Sequence, residues 1–353
     1  MKEFVVRFTV VLMAFFFFEI KAQDPQYSQN YAVPNLISPA FAGLEGRSKL
    51  NFLYRNQWPN LSSNYIFSGF SADLAFEKYQ SGLGIVLTND SQYSNLETNS
   101  AGLQYAYHLK LNDYSSLSMG ISGTYITRKI NPNNFFFLDQ ARNSISRDIP
   151  GSSTDPIQFQ IMNGREFVDL GSGLLYTTET SWLGLSVQHL NKPNQSLSPD
   201  NPNNIKTKYS LQIGTKIPLS YSLYEDGSYQ AMNEEKSLSP VIHFKKQGNF
   251  SQLDIGTYLT YAPLIVGAWY RGVPIQSKRV PDKKLESIVM LLGYRKDNFS
   301  IGYSYDLTVS NLGPSTGGAH EISIAYIFDF SPNIGGKNNI RKILRRSLAC
   351  PKF

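Results

Sequence analysis

The sequence predicts an all-β fold, a transmembrane antiparallel β-barrel of about fourteen strands. Three observations predict it. From Lys49 onward the side chains alternate with a period of two between apolar and small or polar residues. The predicted strands are roughly ten or more residues long, as a tilted membrane strand must be. Tyr (22) and Phe (22) are abundant, whereas only 17% of residues are charged, against about 25% in a typical soluble chain. This composition indicates a surface in contact with lipid.

The alternation runs through every predicted strand. In one of the clearest segments the apolar residues Leu103, Tyr105, Tyr107 and Leu109 oppose Gly102, Gln104, Ala106 and His108. The predicted strands are 48–58, 65–77, 82–92, 97–111, 116–130, 166–178, 181–191, 205–219, 236–247, 250–262, 264–273, 285–297, 298–310 and 317–330.

The hydrocarbon around a membrane sheet requires the sheet to close into a barrel. Hydrocarbon offers no partner to the backbone groups at a sheet edge, so we expect the first strand to pair with the last. A soluble β-sandwich is the alternative. Its strands are typically near five or six residues, about half the predicted length, so the barrel is favoured.

Four segments divide the chain. Residues 1–22 have the pattern of a signal peptide, with positive charge first, an apolar stretch that is too short to span a bilayer, and Ala22 at the cleavage point. We expect 23–47 to be a periplasmic N-terminal segment, 48–330 to be the outer-membrane barrel, and 331–353 to be a short basic periplasmic C-terminal tail.

The positive net charge of +6 belongs to that tail. It holds six basic residues and no acidic one, and the rest of the mature chain is nearly neutral. The basic balance therefore gives no reason to expect nucleic acid as a partner. We interpret the tail as a solvated segment, or as a contact for anionic lipid or a periplasmic complex.

The connections predict how the barrel is oriented. Even-numbered connections are mostly short, whereas the odd-numbered ones include the long segments 131–165, 192–204 and 274–284. Outer-membrane barrels have short periplasmic turns and longer outside loops, so we expect both termini in the periplasm and the long loops outside. The even-numbered connection 220–235 is an exception. In the first long loop, Phe135–Phe137 are expected to pack rather than stand in water.

No residue pattern in the sequence predicts a catalytic, cofactor or metal site. The four histidines have no metal-ligand spacing, and we interpret them as neutral residues of the lumen or the membrane interface: His108, His189, His243 and His320. No G-x-S-x-G elbow or phosphate-binding glycine loop occurs. An outer-membrane enzyme such as a lipase would need a Ser–His pair, and the sequence offers no candidate.

The three tryptophans have two possible interpretations. Trp58, Trp182 and Trp269 could form a set that stacks on sugars or bases. We favour an aromatic girdle at the membrane interface, where amphipathic rings prefer to lie.

Several stretches resemble a known family. After the predicted cleavage the chain begins Gln23-Asp24-Pro25-Gln26-Tyr27-Ser28-Gln29, continues with Ser38-Pro39-Ala40-Phe41-Ala42-Gly43 and Tyr54-Arg55-Asn56-Gln57-Trp58-Pro59, and ends Cys350-Pro351-Lys352-Phe353. In order and spacing these stretches resemble the PorP/SprF family of Bacteroidota, over essentially the whole chain. Ser38 departs from the family's usual Asn.

The resemblance implies a non-enzymatic outer-membrane component of the type IX secretion and gliding system. It implies that such a protein assists the secretion or surface anchoring of a large adhesin, through the adhesin's C-terminal targeting domain, and meets other periplasmic components of the system. The family has no named catalytic residues. The motif positions carried over as partner-binding or structural are Gln23, Asp24, Pro25, Pro39, Phe41, Gly43, Arg55, Asn56, Gln57, Trp58, Pro59, Cys350, Pro351 and Phe353. The alternative is a channel or hydrophobic-solute transporter, since barrels of this size can hold an open or plugged lumen.

The residues themselves support a separate interpretation of these motifs. Prolines interrupt any strand ladder because they lack a backbone donor, so 23–47 is expected to be an irregular stretch that plugs the lumen or docks a partner. Arg55 and Gln57 share a face with Lys49 and Asn51, and we expect that face to be the lumen. Cys350, the single cysteine, is a free thiol or links a partner.

Overall fold

The computed structural model describes residues 24–62, 64–92, 95–130, 164–198, 201–219, 222–223, 229–230, 236–272, 285–309 and 313–328. The predicted signal peptide, the basic tail with Cys350, Pro351 and Phe353, residue Gln23, the three phenylalanines Phe135–Phe137 and most of 220–235 lie outside these residues. None of the helices in the described part has the length and apolarity to span a membrane.

Fourteen antiparallel strands form one closed barrel, as the sequence predicts. They are β1 (Ser48–Gln57), β2 (Tyr65–Phe76), β3 (Ser81–Gln92), β4 (Leu96–Asn112), β5 (Ser115–Ile130), β6 (Arg165–Thr178), β7 (Ser181–Gln188), β8 (Lys208–Thr215), β9 (Lys236–Gln247), β10 (Phe250–Tyr261), β11 (Leu264–Gly272), β12 (Leu285–Lys296), β13 (Phe299–Thr308) and β14 (Ala319–Phe328). A two-residue strand, Ile217–Pro218, continues the pairing of β8 with β9. Residues 222–223 pair with 229–230 in a small separate ladder.

The first and last strands close the barrel. β1 pairs with β14 over the full length of both strands, from Ser48 opposite Phe328 to Gln57 opposite Ala319. Each of the other strands pairs with its two neighbours in chain order. Every strand of the barrel therefore has a hydrogen-bonded partner on each side, as a sheet in hydrocarbon requires.

Two strands are shorter than the sequence predicts. β7 ends at Gln188 because His189 has a positive φ of 59° and leaves the ladder. β8 begins at Lys208 rather than 205, since the backbone N–H of Ile205 donates to the carbonyl of Pro193 in the same connection.

The alternating pattern separates an apolar outer face from a polar inner face. Leu103 is 69% exposed and Ile121 is 62% exposed on the outer face. Between them in sequence, Gln104 and Ser118 point inward and are buried. The outer face is thus the one that meets lipid.

The two ends of the barrel differ. The strand ends that flank the segments 131–163, 189–207 and 273–284 lie at one end, which we call the long-loop end. The tight connections 113–114, 179–180, 262–263 and 297–298 lie at the other, the short-turn end, together with the start of β1 and the end of β14. The connection 216–235 is a long one at the short-turn end, as the sequence indicates.

The lipid-facing interpretation predicts the effect of a charge on the outer face. Replacing Leu103 by Arg, at the middle of β4, is expected to destabilise the barrel by about 2–4 kcal/mol, because the bilayer midplane does not solvate a charge. Urea unfolding in lipid bilayers measures this change. Leu61→Arg, in the β1–β2 connection where the side chain is 41% exposed, is the matched control. Equal effects of the two substitutions would contradict the assignment of the outer face.

Candidate functional site in the lumen

Residues 24–47 fill the interior of the barrel. Val33, Ala40 and Ala42 in this segment are completely buried, and the two 3₁₀ turns Pro34–Leu36 and Pro39–Phe41 keep its path irregular. We expected residues 23–47 to be a periplasmic segment that plugs the lumen or docks a partner. The described part lies in the lumen, as the plug alternative predicts, so we call residues 24–47 the plug.

Glycines on the lumen face let the plug backbone touch the barrel wall. A Cβ atom on Gly120 of β5 would lie 2.4 Å from the backbone N of Ala40, and one on Gly82 of β3 would lie 2.1 Å from the carbonyl O of Ala42. No side chain fits at either distance. The small residues of the inner face are therefore explained by the plug that they accommodate.

A cluster of buried charges lies between the plug and the strands on both sides of the closure. Arg55 of β1 pairs with Glu321 of β14 (Nη1–Oε2, 2.9 Å) and with Asp306 of β13 (Nη2–Oδ2, 2.8 Å). Arg271 of β11 pairs with the same Asp306 (2.9 Å) and with Asp254 of β10 (3.1 Å). All five side chains are at most 5% exposed. Such charges are tolerated inside a protein only when they are paired.

The carboxylates of this cluster hold the start of the plug. The backbone N–H groups of Ser28 and Gln29 donate to the two oxygens of Glu321, at 2.8 and 2.6 Å. The Ser28 hydroxyl donates to Asp306 at 2.7 Å and accepts from Arg55 at 3.0 Å. Sequence analysis found Arg55, but it did not identify Asp306 or Glu321 as site residues. Their acidic side chains at inward positions of the last strands were the available signal.

Asp24 forms a second anchor at the long-loop end. Its carboxylate accepts hydrogen bonds from Lys208 Nζ (2.9 Å), His189 Nε2 (3.0 Å) and Gln247 Nε2 (3.0 Å). On its other side His189 contacts Asp169 (Nδ1–Oδ1, 3.0 Å). The first residues of the plug are thus tied to three strand ends.

Each charged group of this anchor stabilises the charged form of its neighbours. Burial raises the pKa of Asp24, but the nearby Lys208 and His189 outweigh it and hold the pKa well below its usual range. Burial lowers the pKa of His189, whereas Asp24 and Asp169 together raise it to about 9. His189 is therefore protonated at neutral pH, and the prediction that all four histidines are neutral is wrong for this one.

Two of the three tryptophans belong to the lumen. Trp182 is 2% exposed and Trp269 is 5% exposed. Both pack on Tyr31 of the plug, with ring centroids 5.8 and 6.5 Å away. The girdle prediction is wrong for these two residues, because their side chains point inward and pack against the plug. The plug also covers the ring faces on which a sugar or base would stack. Trp58 is half-buried at the long-loop end and packs edge-on against Tyr65.

The motif 55–59 joins the first and last hairpins. Beyond Arg55, the backbone N–H of Trp58 donates to the carbonyl of Gly318 (2.7 Å), and the Asn56 side chain accepts from Asn64 (3.2 Å). The side chain of Gln57 accepts from Arg55 (3.1 Å). Pro59 lies against Gly317. Lys49, Asn51 and Arg55 are buried in the lumen and Gln57 is half-buried, which agrees with the predicted inward face.

The N-terminal motif positions lie in the plug. Pro39 packs its backbone on Gly120, and Phe41 is buried in the core. Gly43 has a positive φ of 67° and lies so close to Gly82 that a Cβ atom would be 2.6 Å from the Gly82 Cα. Pro25 lines the remaining free space of the lumen.

A cavity of about 200 Å³ remains between the plug and the wall formed by β2 to β8. One part of its lining is apolar, with Tyr27, Leu36 and Phe67. Toward the long-loop end its lining is polar, with Asp90 and Arg128, whose guanidinium donates to Gln195. The plug therefore fills the lumen closely on one side and less closely on the other.

Comparisons with known proteins identify the family. The model of the family described as "Type IX secretion system membrane protein PorP/SprF" matches residues 19–326. No curated protein matches the chain.

Several solved barrels are similar in structure. The toluene transporter TodX of P. putida has 10% sequence identity and a TM-score of 0.43, with 83% of this chain and 93% of that chain covered. The monoaromatic hydrocarbon channel CymD has 10% identity and a TM-score of 0.37, with coverages of 85% and 93%. CdiB from Acinetobacter baumannii has 7% identity and a TM-score of 0.39, with coverages of 80% and 60%. At these TM-scores we draw no argument from what those proteins do.

Removing the shared cation of the buried cluster should destabilise the barrel strongly. Arg55→Met leaves Glu321 without a cation within bonding distance, and we expect a loss of about 3–5 kcal/mol in the free energy of unfolding. Urea unfolding in bilayers measures the loss. The matched control is Lys110→Met, which breaks the solvent-exposed pair with Asp113 and should lower stability by less than about 1 kcal/mol. The double variant Arg55→Met/Glu321→Gln should recover part of the loss, and an additive double variant would contradict the pairing.

The second anchor predicts a pH window for docking of the plug. The contribution of His189 is complete below its unfolded pKa of about 6.5 and is lost as pH rises through about 9. The contribution of Asp24 to docking is complete above its ordinary pKa of 3.8, and it is lost as the pH falls through the lowered pKa of Asp24 in the docked plug. Protection of the first plug residues from protease, measured against pH, should therefore decline on the alkaline side. His189→Gln should abolish the alkaline decline, and an unchanged profile in that variant would exclude His189 as its cause.

Proposed function

The chain belongs to the PorP/SprF family of type IX secretion membrane proteins, and from this premise we propose that it is a non-enzymatic outer-membrane scaffold for a secreted partner. The partner is an adhesin, which the scaffold helps to secrete or to anchor at the cell surface. The adhesin contributes its C-terminal targeting domain to the contact.

The plug is the observation that carries the scaffold proposal. Expelling residues 24–47 would leave the carboxylates of Asp306 and Glu321 without the N–H and O–H donors of Ser28 and Gln29. Leaving buried polar groups unsatisfied is unfavourable by about 1–3 kcal/mol each, and by more for charged groups. A filled lumen favours contact through the outer surfaces of the barrel over passage of a protein through it.

The two ends of the barrel suit different contacts. In this proposal the long-loop end faces the outside and receives the adhesin. The short-turn end faces the periplasm, where the long connection 216–235 and the basic tail after residue 330 meet other components of the secretion system. Outer-membrane barrels have this distribution of loop lengths in general.

A channel or transporter for small hydrophobic solutes is the second candidate. The cavity of about 200 Å³ with its partly apolar lining favours it. This candidate requires that solute pass the plug, so it predicts measurable conductance or uptake by the purified protein in bilayers. The scaffold proposal predicts neither.

Deletion of the gene separates the two functions. Under the scaffold proposal the deletion abolishes surface display of one adhesin, while other outer-membrane proteins remain at their normal level, as read by mass spectrometry of surface-labelled cells. Complementation with the wild-type gene restores the display. Leu61→Arg, on a loop at the long-loop end, is a variant for testing the contact surface. Display that persists in the deletion strain while uptake of a solute falls would overturn the scaffold and favour the channel.

The adhesin contact can be tested directly. The protein is purified from detergent-solubilised membranes together with whatever binds it, and the bound proteins are identified by mass spectrometry. We expect an adhesin with a C-terminal targeting domain, and we expect truncation of that domain to remove it from the complex. Retention of the truncated adhesin would contradict the proposed contact.

A further inference from the structure

The plug has a direction inside the barrel. Its first described residue, Asp24, is held by His189, Lys208 and Gln247. His189 directly follows β7, Lys208 begins β8 and Gln247 ends β9, so all three lie at the long-loop end. The backbone N–H of Asp24 also donates to Gln247 Oε1 (3.2 Å), which ties the main chain to the same end.

The last residues of the plug lie near the short-turn end. Asn35, in the middle of the plug, donates to Asp73 of β2. The carbonyl of Ala42 is 3.0 Å from Nε2 of His108, which lies four residues before the short-turn end of β4. Arg47 donates to Asn298 in the turn between β12 and β13 (3.0 Å). The segment therefore runs through the whole lumen before it enters β1.

We propose that the start of the mature chain opens at the long-loop end, opposite the end where β1 begins and β14 finishes. In the proposed orientation this is the end of the barrel at which the secreted partner is met. This part of the inference rests on the proposed orientation, in which the long-loop end faces the outside. It replaces the expectation that both chain ends lie on one side of the membrane.

This direction imposes an order on maturation. A signal peptide still attached ahead of Asp24 would hold the start of the plug on the periplasmic side, whereas the three partners of Asp24 lie at the opposite end of the barrel. Cleavage therefore precedes docking of the plug.

Epitope labelling on intact cells tests the direction of the plug. A short epitope is inserted between Gln23 and Asp24 in one strain, after Arg147 in a second and after Asp226 in a third. We expect antibody to bind the first two on intact cells to a comparable extent, and to bind the third only after the outer membrane is permeabilised. Labelling of the first epitope only after permeabilisation, while the Arg147 epitope is labelled on intact cells, overturns the inference and leaves the proposed orientation standing. Labelling of the Asp226 epitope alone on intact cells overturns the orientation itself.

A zero-length cross-link in the untagged protein provides the second measurement, because an epitope could itself prevent docking. Carbodiimide should join the carboxylate of Asp24 to the amine of Lys208, 2.9 Å away, and mass spectrometry should detect the joined peptides. The Lys110–Asp113 pair, 2.7 Å apart at the short-turn end, is the positive control for the reagent. Absence of the Asp24–Lys208 product when the control product forms would contradict the direction of the plug, and Lys208→Gln should remove the product if the contact is as described.

Discussion

Hydrogen bonding between β1 and β14 is the constraint on which the rest of the structure depends. A sheet surrounded by hydrocarbon has no solvent partner for its edge groups, so these two strands must meet although they are far apart in sequence. Their register places Arg55 directly opposite Glu321. The closure that satisfies the backbone therefore also creates the charged pair that holds the start of the plug.

The buried charges are best understood as determinants of position. Ion pairs that are removed from water contribute little net stability, but breaking one is strongly unfavourable. Near the plug, the cations of Arg55, Arg271 and Lys245 face the anions of Asp254, Asp306 and Glu321. These three cations and three anions balance, so the plug can adopt one register without leaving an unpaired charge in this cluster.

A filled lumen changes what this secretion component can do. The inner wall is occupied by the chain's own residues, through glycine contacts such as Gly120 with Ala40 and through ring packing on Tyr31. Apart from the cavity of about 200 Å³ between the plug and the wall, the lipid-facing surface and the two ends are left for other molecules. The two ends differ, because the plug starts at the long-loop end, whereas β1 begins and β14 finishes at the short-turn end. In the proposed scaffold function, this asymmetry distinguishes the end for the external partner from the end for the periplasmic components.

The sequence by itself determined the local structure. A period of two, strands long enough to cross a membrane and the solvent argument for closure together predict the fourteen strands and most of their bounds, and they predict that Arg55 faces inward. The motif stretches were sufficient to recognise the family. These features depend on the alternation of neighbouring residues and on the lipid around the barrel, and both leave a pattern in the linear sequence.

Only the tertiary structure decided what lies opposite each inward residue. Alternation assigns a side chain to a face, but it does not say which residues meet across a closed lumen. For that reason the sequence did not reveal that Trp182 and Trp269 pack on Tyr31, that Glu321 and Asp306 hold Ser28, or in which direction residues 24–47 run through the barrel. Those contacts join residues up to 294 positions apart, and they exist only once the sheet has closed around the plug.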